Sequence, residues 1–129
     1  MTEFKPEGYN SVSPYLVVNG AQRMIDLLKD IFNVQELRKY EAPDGKIMHA
    51  EVRLQDSVIM IADATENWPQ NKSLVHVYVV DVDSVYQKAL KAGCIGEEEP
   101  KEREGDPDRR GGFRDFAGNY WSVSTQVSV

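Results

Sequence analysis

The sequence predicts an α+β fold of two βαβββ modules, because one strand–helix signature occurs twice. Leu16-Val17-Val18-Asn19-Gly20-Ala21 leads into an amphipathic helix ending near Phe32. Tyr78-Val79-Val80-Asp81-Val82-Asp83 leads into a second, ending near Gly93. Short strand-like runs divided by turn residues follow each helix. A length of 129 residues fits one domain made of two half-size modules sharing a core. A ferredoxin-like sandwich also uses two strand–helix units, but it accommodates the extra strands less well.

The first strand is predicted over residues 12–18. Asn19 is placed to cap the first helix, with Gln22 reaching back as in a capping box. Met24, Leu27, Leu28 and Ile31 fall at helical spacing and give that helix one apolar face. Three strands follow, over residues 34–40, 47–54 and 57–63. Pro43-Asp44-Gly45 marks a turn, and Gln55-Asp56 a tight hairpin connection. Module 1 therefore spans about residues 12–63, and residues 64–72, with Trp68-Pro69, are a linker.

Module 2, about residues 73–127, opens with a buried strand over residues 74–80. Asp81 caps its helix, whose inner face is Val82, Val85, Tyr86, Ala89 and Leu90. Gly93 suits the left-handed position after the helix end. A weak strand is expected over residues 94–97. Residues 97–110, dense in charge, Pro and Gly, read as a long surface loop. Strands over residues 113–116 and 120–127 flank Ala117-Gly118.

Bulk properties exclude several functions. The net charge of −6 argues against nucleic-acid and anionic-membrane partners, which need clustered Lys and Arg. No apolar run approaches the roughly 18 residues of a membrane span. The polar residues 1–10 lack the apolar centre of a signal peptide, and a cytoplasmic location is expected. The single Cys94 cannot form an internal disulfide, and it follows a helix C-terminus, where the dipole raises a thiol pKa. No GxGxxG, P-loop, HExxH or GxSxG occurs.

Strand alternation nominates a functional face. Met48, Ala50, Val52 and Leu54 form an apolar set for the helix side. Ile47, His49, Glu51 and Arg53 point the other way. Val75, Val77 and Val79 likewise leave Leu74, His76 and Tyr78 opposite. Ile59 and Ile61 leave Val58, Met60 and Ala62 opposite, while Trp121 and Val123 leave Tyr120, Ser122 and Ser124. Water alone can explain such alternation. A lone His within LVHVYVV can equally be a hydrogen-bonded core group.

The chain resembles the vicinal-oxygen-chelate superfamily of glyoxalase I, bleomycin-resistance proteins and extradiol dioxygenases, and within it the PhnB-like, glyoxalase-like branch. The likeness lies in Ser13-Pro14-Tyr15-Leu16-Val17-Val18, Asp44-Gly45-Lys46-Ile47-Met48-His49-Ala50-Glu51, His76-Val77-Tyr78-Val79-Val80-Asp81-Val82-Asp83, and Asp108-Arg109-Arg110-Gly111-Gly112-Phe113-Arg114-Asp115 with Gly118 and Trp121. It implies two βαβββ modules pairing around a cavity, in a homodimer that takes a small molecule. Metal-using relatives place a ligand on each of strands 1, 4, 5 and 8. Those positions here look like Ser13, Met60, His76 and Ser122, of which only His76 is an ordinary divalent-metal ligand. The resemblance thus implies that the usual metal site is lost and that no cofactor is held. His49 and Glu51, with His76, are the residues from which a different site could be rebuilt. Asn119 stands where the branch carries His, and the branch's Pro is also missing.

Three functions compete at this point. A metal-independent enzyme would use His76, Glu51 or His49 for acid–base work. Arg53 or Arg114 would hold an anionic group. A binding protein sequestering an antibiotic or toxic metabolite would use Tyr15, Tyr78, Tyr120 and Trp68 as stacking surface, with Met60, Ser13 and Ser122 lining the cavity. A ligand-free dimerisation module would bury the polar strand faces between subunits.

Overall fold

The computed structural model describes residues 3–129 and divides into two compact units, one running to Asn71 and the other starting at Lys72. The first holds β1 (Tyr15–Val18), α1 (Ala21–Phe32), β2 (Gln35–Glu41), β3 (Ile47–Leu54) and β4 (Ser57–Asp63). The second holds β5 (Leu74–Tyr78), α2 (Val82–Lys91), β6 (Ile95–Lys101), β7 (Asp108–Arg114) and β8 (Tyr120–Gln126). Each is βαβββ. The strand orders are β1-β4-β3-β2 and β5-β8-β7-β6, with the β1–β4 and β5–β8 pairs parallel and the rest antiparallel. Among the described residues, no helix is long and apolar enough to cross a membrane.

In the first unit Met24, Ile25, Leu28 and Ile31 of α1 are buried with Leu16, Val18, Ala50, Val52, Leu54, Ile59 and Ile61. The pairs Leu16–Ile61, Ala50–Ile61 and Val52–Ile59 lie directly opposite one another, so these side chains share the helix-facing side. Each Leu, Ile, Val or Met side chain among them contributes roughly 1.5–3 kcal/mol on removal from water. The second unit repeats the scheme with Val82, Tyr86 and Ala89 of α2, Val77, Phe113, Trp121 and Val123.

Four local expectations are corrected. Helix α1 is not capped by Asn19: Gly20 occupies the cap position at φ 103, with no side-chain cap of its own. The Asp63 carboxylate at the end of β4 takes over, accepting from Gly20 N at 3.2 Å and Ala21 N at 2.8 Å. Met48 is 64% exposed instead of core, while Ile47 is buried. A bulge pairs Tyr40 with His49 and Glu41 with Ile47, so Met48 drops out of the ladder and the alternation reverses there. The loop expected over residues 97–110 shrinks to the stretch between Lys101 and Asp108, since β6 and β7 pair through it despite the charge. The first strand begins only at Tyr15.

Elsewhere the expected signals hold. Asp81 accepts from Ser84 N at 3.1 Å, and Gly93 adopts φ 99 just beyond α2. On that helix Val85 and Leu90 are less buried than Val82, Tyr86 and Ala89.

Candidate functional site

On the side of the first sheet away from α1, four side chains form one hydrogen-bonded row. The Tyr15 hydroxyl lies 2.8 Å from His49 Nδ1, and His49 Nε2 lies 2.8 Å from Glu51 Oε2. The Tyr9 hydroxyl donates to Glu51 Oε1 at 2.5 Å. Period-2 geometry puts His49 and Glu51 on one side of β3. Tyr15 and Glu51 both sit opposite Met60, which places the β1 tyrosine across β4 from them.

Glu51 is 4% exposed. Burial pushes its carboxyl up, but the Tyr9 and His49 hydrogen bonds and the charges of His49 and Arg38 outweigh it, so its pKa is lowered. An ionised carboxylate only accepts, so His49 carries a proton on Nε2; in the neutral tautomer with that proton, Nδ1 accepts from the Tyr15 hydroxyl. Burial and the Glu51 charge raise the Tyr15 phenol, which stays protonated. The Tyr40 ring stacks on His49 at 6.3 Å and 25°.

Tyr15 also belongs to the wall of a cavity of about 840 Å³ in the same unit. Val17, Ile47, Met48, Ala62, Trp68 and Pro69 supply its apolar lining, and Asp44, Lys46 and Asp63 are charged residues at its wall. The bulge that expels Met48 from the core delivers it to this wall. The segment after β4 is tied down along β1. Asn71 Oδ1 accepts from Val17 N at 3.0 Å, Asn71 Nδ2 donates to the Tyr15 carbonyl at 3.0 Å, and Gln70 accepts from Asn19 N at 3.1 Å. Trp68, 73% exposed, lines the same cavity from this segment, its backbone N–H donating to Thr65 Oγ1 at 3.1 Å.

The other expected site residues are placed as follows. Arg53 Nη1 donates to the Gly8 carbonyl at 2.6 Å, and its guanidinium lies 5.9 Å from the Tyr9 ring centroid. Met60 and Ser13 are partly exposed on the first unit. In the second unit His76 is exposed, with Nε2 3.0 Å from Ser124 Oγ and its ring edge-on to Tyr78 at 4.8 Å. Ser122 sits opposite His76 in the sheet. Tyr78 donates to Asp108 at 2.6 Å. Arg114 donates to Glu97 at 3.3 Å and to the Gly118 carbonyl at 3.0 Å, and lies 5.4 Å from the Tyr120 ring centroid. A Cβ on Gly112 would come within 2.1 Å of the Tyr120 hydroxyl, so that ring requires glycine beneath it. Among the described residues, no group of three or more His, Cys, Asp or Glu side chains is placed to hold a metal ion.

The structure therefore groups Tyr15, His49 and Glu51 and adds Tyr9 and Met48, which sequence reading left out of the site. Tyr9 carries no local signal, since only folding brings residue 9 to residue 51. Asn119 has a structural role: fully buried, it donates to Asp115 and accepts from Ser73 N at 2.8 Å. Burial, with the Asp115 charge adding to it, pushes the Cys94 thiol up to about 11, away from nucleophilic use.

These features match known proteins. A model of the Glyoxalase/Bleomycin resistance protein/Dioxygenase superfamily covers residues 9–123. An uncharacterised protein of Mycobacterium bovis is 31% identical over 128 residues, covering 91% of this chain and 84% of that one. The crystal structure of TioX from Micromonospora sp. ML1 superposes with a TM-score of 0.72 at 20% identity, covering 90% of this chain and 99% of that one. TnmS3, an antibiotic binding protein from Streptomyces sp. CB03234, gives a TM-score of 0.68 at 16% identity, covering 92% and 99%. The chain belongs to the glyoxalase/bleomycin resistance protein/dioxygenase superfamily.

Proposed function

We propose that this protein takes a small, largely apolar molecule into the first unit's cavity and does so without the metal used by many relatives. The observation that carries this reading is the cavity itself. It combines an aromatic and aliphatic lining with polar groups at its wall, among them Tyr15, which joins the row to His49 and Glu51. Two functions remain distinct within it: acid–base chemistry on the guest, or sequestration of an antibiotic or toxic metabolite. The apolar wall and the similarity to an antibiotic binding protein favour sequestration. Turnover that stops in Glu51→Gln would decide for the enzyme.

Trp68 provides the test of location. Replacing Trp68 by Ala should weaken binding of planar aromatic guests about tenfold, the value of one lost stacking contact. Titration calorimetry against a panel of polycyclic aromatic antibiotics reads this directly. Binding that ignores both Trp68→Ala and Met48→Ala would place the guest elsewhere.

The metal reading rests on donor chemistry. Neutral serine hydroxyls at 13 and 122 and the Met60 thioether are poor ligands for a hard or borderline dication, which leaves His76 alone. Chelator-stripped protein should therefore show no thermal shift with Zn, Ni, Mn, Fe or Mg. A bound ion at 100 times its dissociation constant would add about 2.7 kcal/mol, so a shift lost in His76→Ala would overturn this reading. The proposal includes a cytoplasmic homodimer. Leu74 and Tyr78, exposed two side chains apart on the same face of edge strand β5, are the apolar groups a second copy would cover, and sedimentation equilibrium reads this.

A further inference from the structure

We propose that Tyr15, His49 and Glu51 act as a proton-accepting relay for an acidic hydroxyl on the cavity's guest, which identifies the guest class as phenols and enols. This rests on the cavity being the binding site. Tyr15 is the one residue shared by the cavity wall and the row. The relay starts from the neutral His49 tautomer with its proton on Nε2 toward Glu51, in which Nδ1 is the acceptor for the Tyr15 hydroxyl proton. In that form the Tyr15 oxygen keeps a free lone pair, which a guest at this wall can meet. A guest that only accepts hydrogen bonds finds no donor there; a guest O–H finds an acceptor.

The row also gives the proton somewhere to go. As the guest proton moves to the Tyr15 oxygen, the Tyr15 proton moves to His49 Nδ1. Tyr15 ends as a phenol, His49 as imidazolium, and the guest as phenolate or enolate. The guest and Tyr15 O–H bonds break, a new Tyr15 O–H and a His49 N–H form, no other reactant is consumed, and net charge is unchanged. The new imidazolium sits 2.8 Å from the Glu51 carboxylate, which stabilises it.

The surroundings suit this transfer. Tyr9 holds the other Glu51 oxygen and keeps the carboxylate aimed at His49. Arg38 and Arg53 lie over the Tyr9 ring at 5.4 and 5.9 Å, on the far side of Glu51 from the cavity residue Tyr15 in the order of the row. The Tyr40 ring stacked on His49 limits its rotation. On this reading Glu51 and Tyr9 are positioning residues, and His49 is the proton acceptor.

The test uses the full chain and 4-nitrophenol, whose anion absorbs in the visible, in a buffer more acidic than its own ionisation midpoint. Binding is read by tryptophan fluorescence quenching that Trp68→Phe removes. Ionisation is read separately by absorbance. The bound probe should show about tenfold more anion than free probe, equivalent to one pKa unit. His49→Gln and Tyr15→Phe should each still quench, with affinity changed by less than about tenfold, but lose the added anion. Glu51→Gln should reduce it by a similar factor. Quenching without added anion, or added anion that survives both His49→Gln and Tyr15→Phe, overturns the relay and leaves the cavity reading intact. Absence of quenching overturns the phenol assignment, while the Trp68→Ala experiment judges the cavity independently.

Discussion

Asp115→Ala should destabilise the protein by about 3–5 kcal/mol, the largest single-residue effect expected here. Asp115 is 4% exposed and serves four donors at the turn between β7 and β8. Its Oδ1 accepts from Ala117 N at 2.9 Å and Asn119 N at 3.0 Å, and its Oδ2 from Asn119 Nδ2 at 3.1 Å and Trp121 Nε1 at 2.8 Å. Truncation strands buried donors, including the indole N–H of the fully buried Trp121. Each stranded donor costs about 1–3 kcal/mol. The loss also spreads, because Asn119 orients Ser73 at the start of β5. Asp115→Asn keeps an acceptor for the turn but turns an amide toward other donors, so it should fall between the two. Urea unfolding followed by far-UV circular dichroism checks this. A loss below about 1 kcal/mol for Asp115→Ala would show that water replaces the carboxylate.

Asp63→Asn should cost about 2–3 kcal/mol and remove part of the acid sensitivity of folding. Burial pushes the Asp63 carboxyl up. The N–H groups of Ala21, Ile47 and Gly20 and the Lys46 charge more than offset this, so its pKa is lowered in the folded state. A carboxyl depressed on folding gives stability that is fully present above its unfolded value, near 3.8, and lost as pH falls through the folded value. The native protein should therefore lose stability below about pH 4 more steeply than Asp63→Asn does. The asparagine amide also faces Ile47 N–H, which now donates to Asp63 Oδ2 at 2.7 Å, donor against donor. Parallel acid-titration slopes for the two proteins would assign the acid dependence to other carboxylates.

Both aspartates show why part of the molecule was readable and part was not. The βαβββ repeat was legible because it depends on local patterns: the α1 apolar stripe, the Asp81 cap and the hairpin at Gln55-Asp56, where Gln55 takes φ 55. β3 and β4 lie over the expected residues because alternation and turn residues bound them on both sides. The charged run after Glu97 misled. Paired antiparallel strands tolerate Glu and Pro at an edge, where side chains and unpaired backbone reach solvent.

The site divides in the same way. His49 and Glu51 were nominated by their shared strand face, a local property of period two. The row they form with Tyr15 and Tyr9 depends on strand pairing and on an N-terminal segment 42 residues away from Glu51. Met48 was placed on the wrong side, because a bulge is a two-strand event that one strand's pattern does not encode. The sequence by itself determined the two-module architecture and family, since hydrophobic periodicity and turn chemistry are written residue by residue. Only the tertiary structure decided the helix cap at Asp63, the buried cluster around Asp115 and the joining of the Tyr15 row to the cavity. Each of these needs groups that lie far apart in the chain to meet at hydrogen-bond distance.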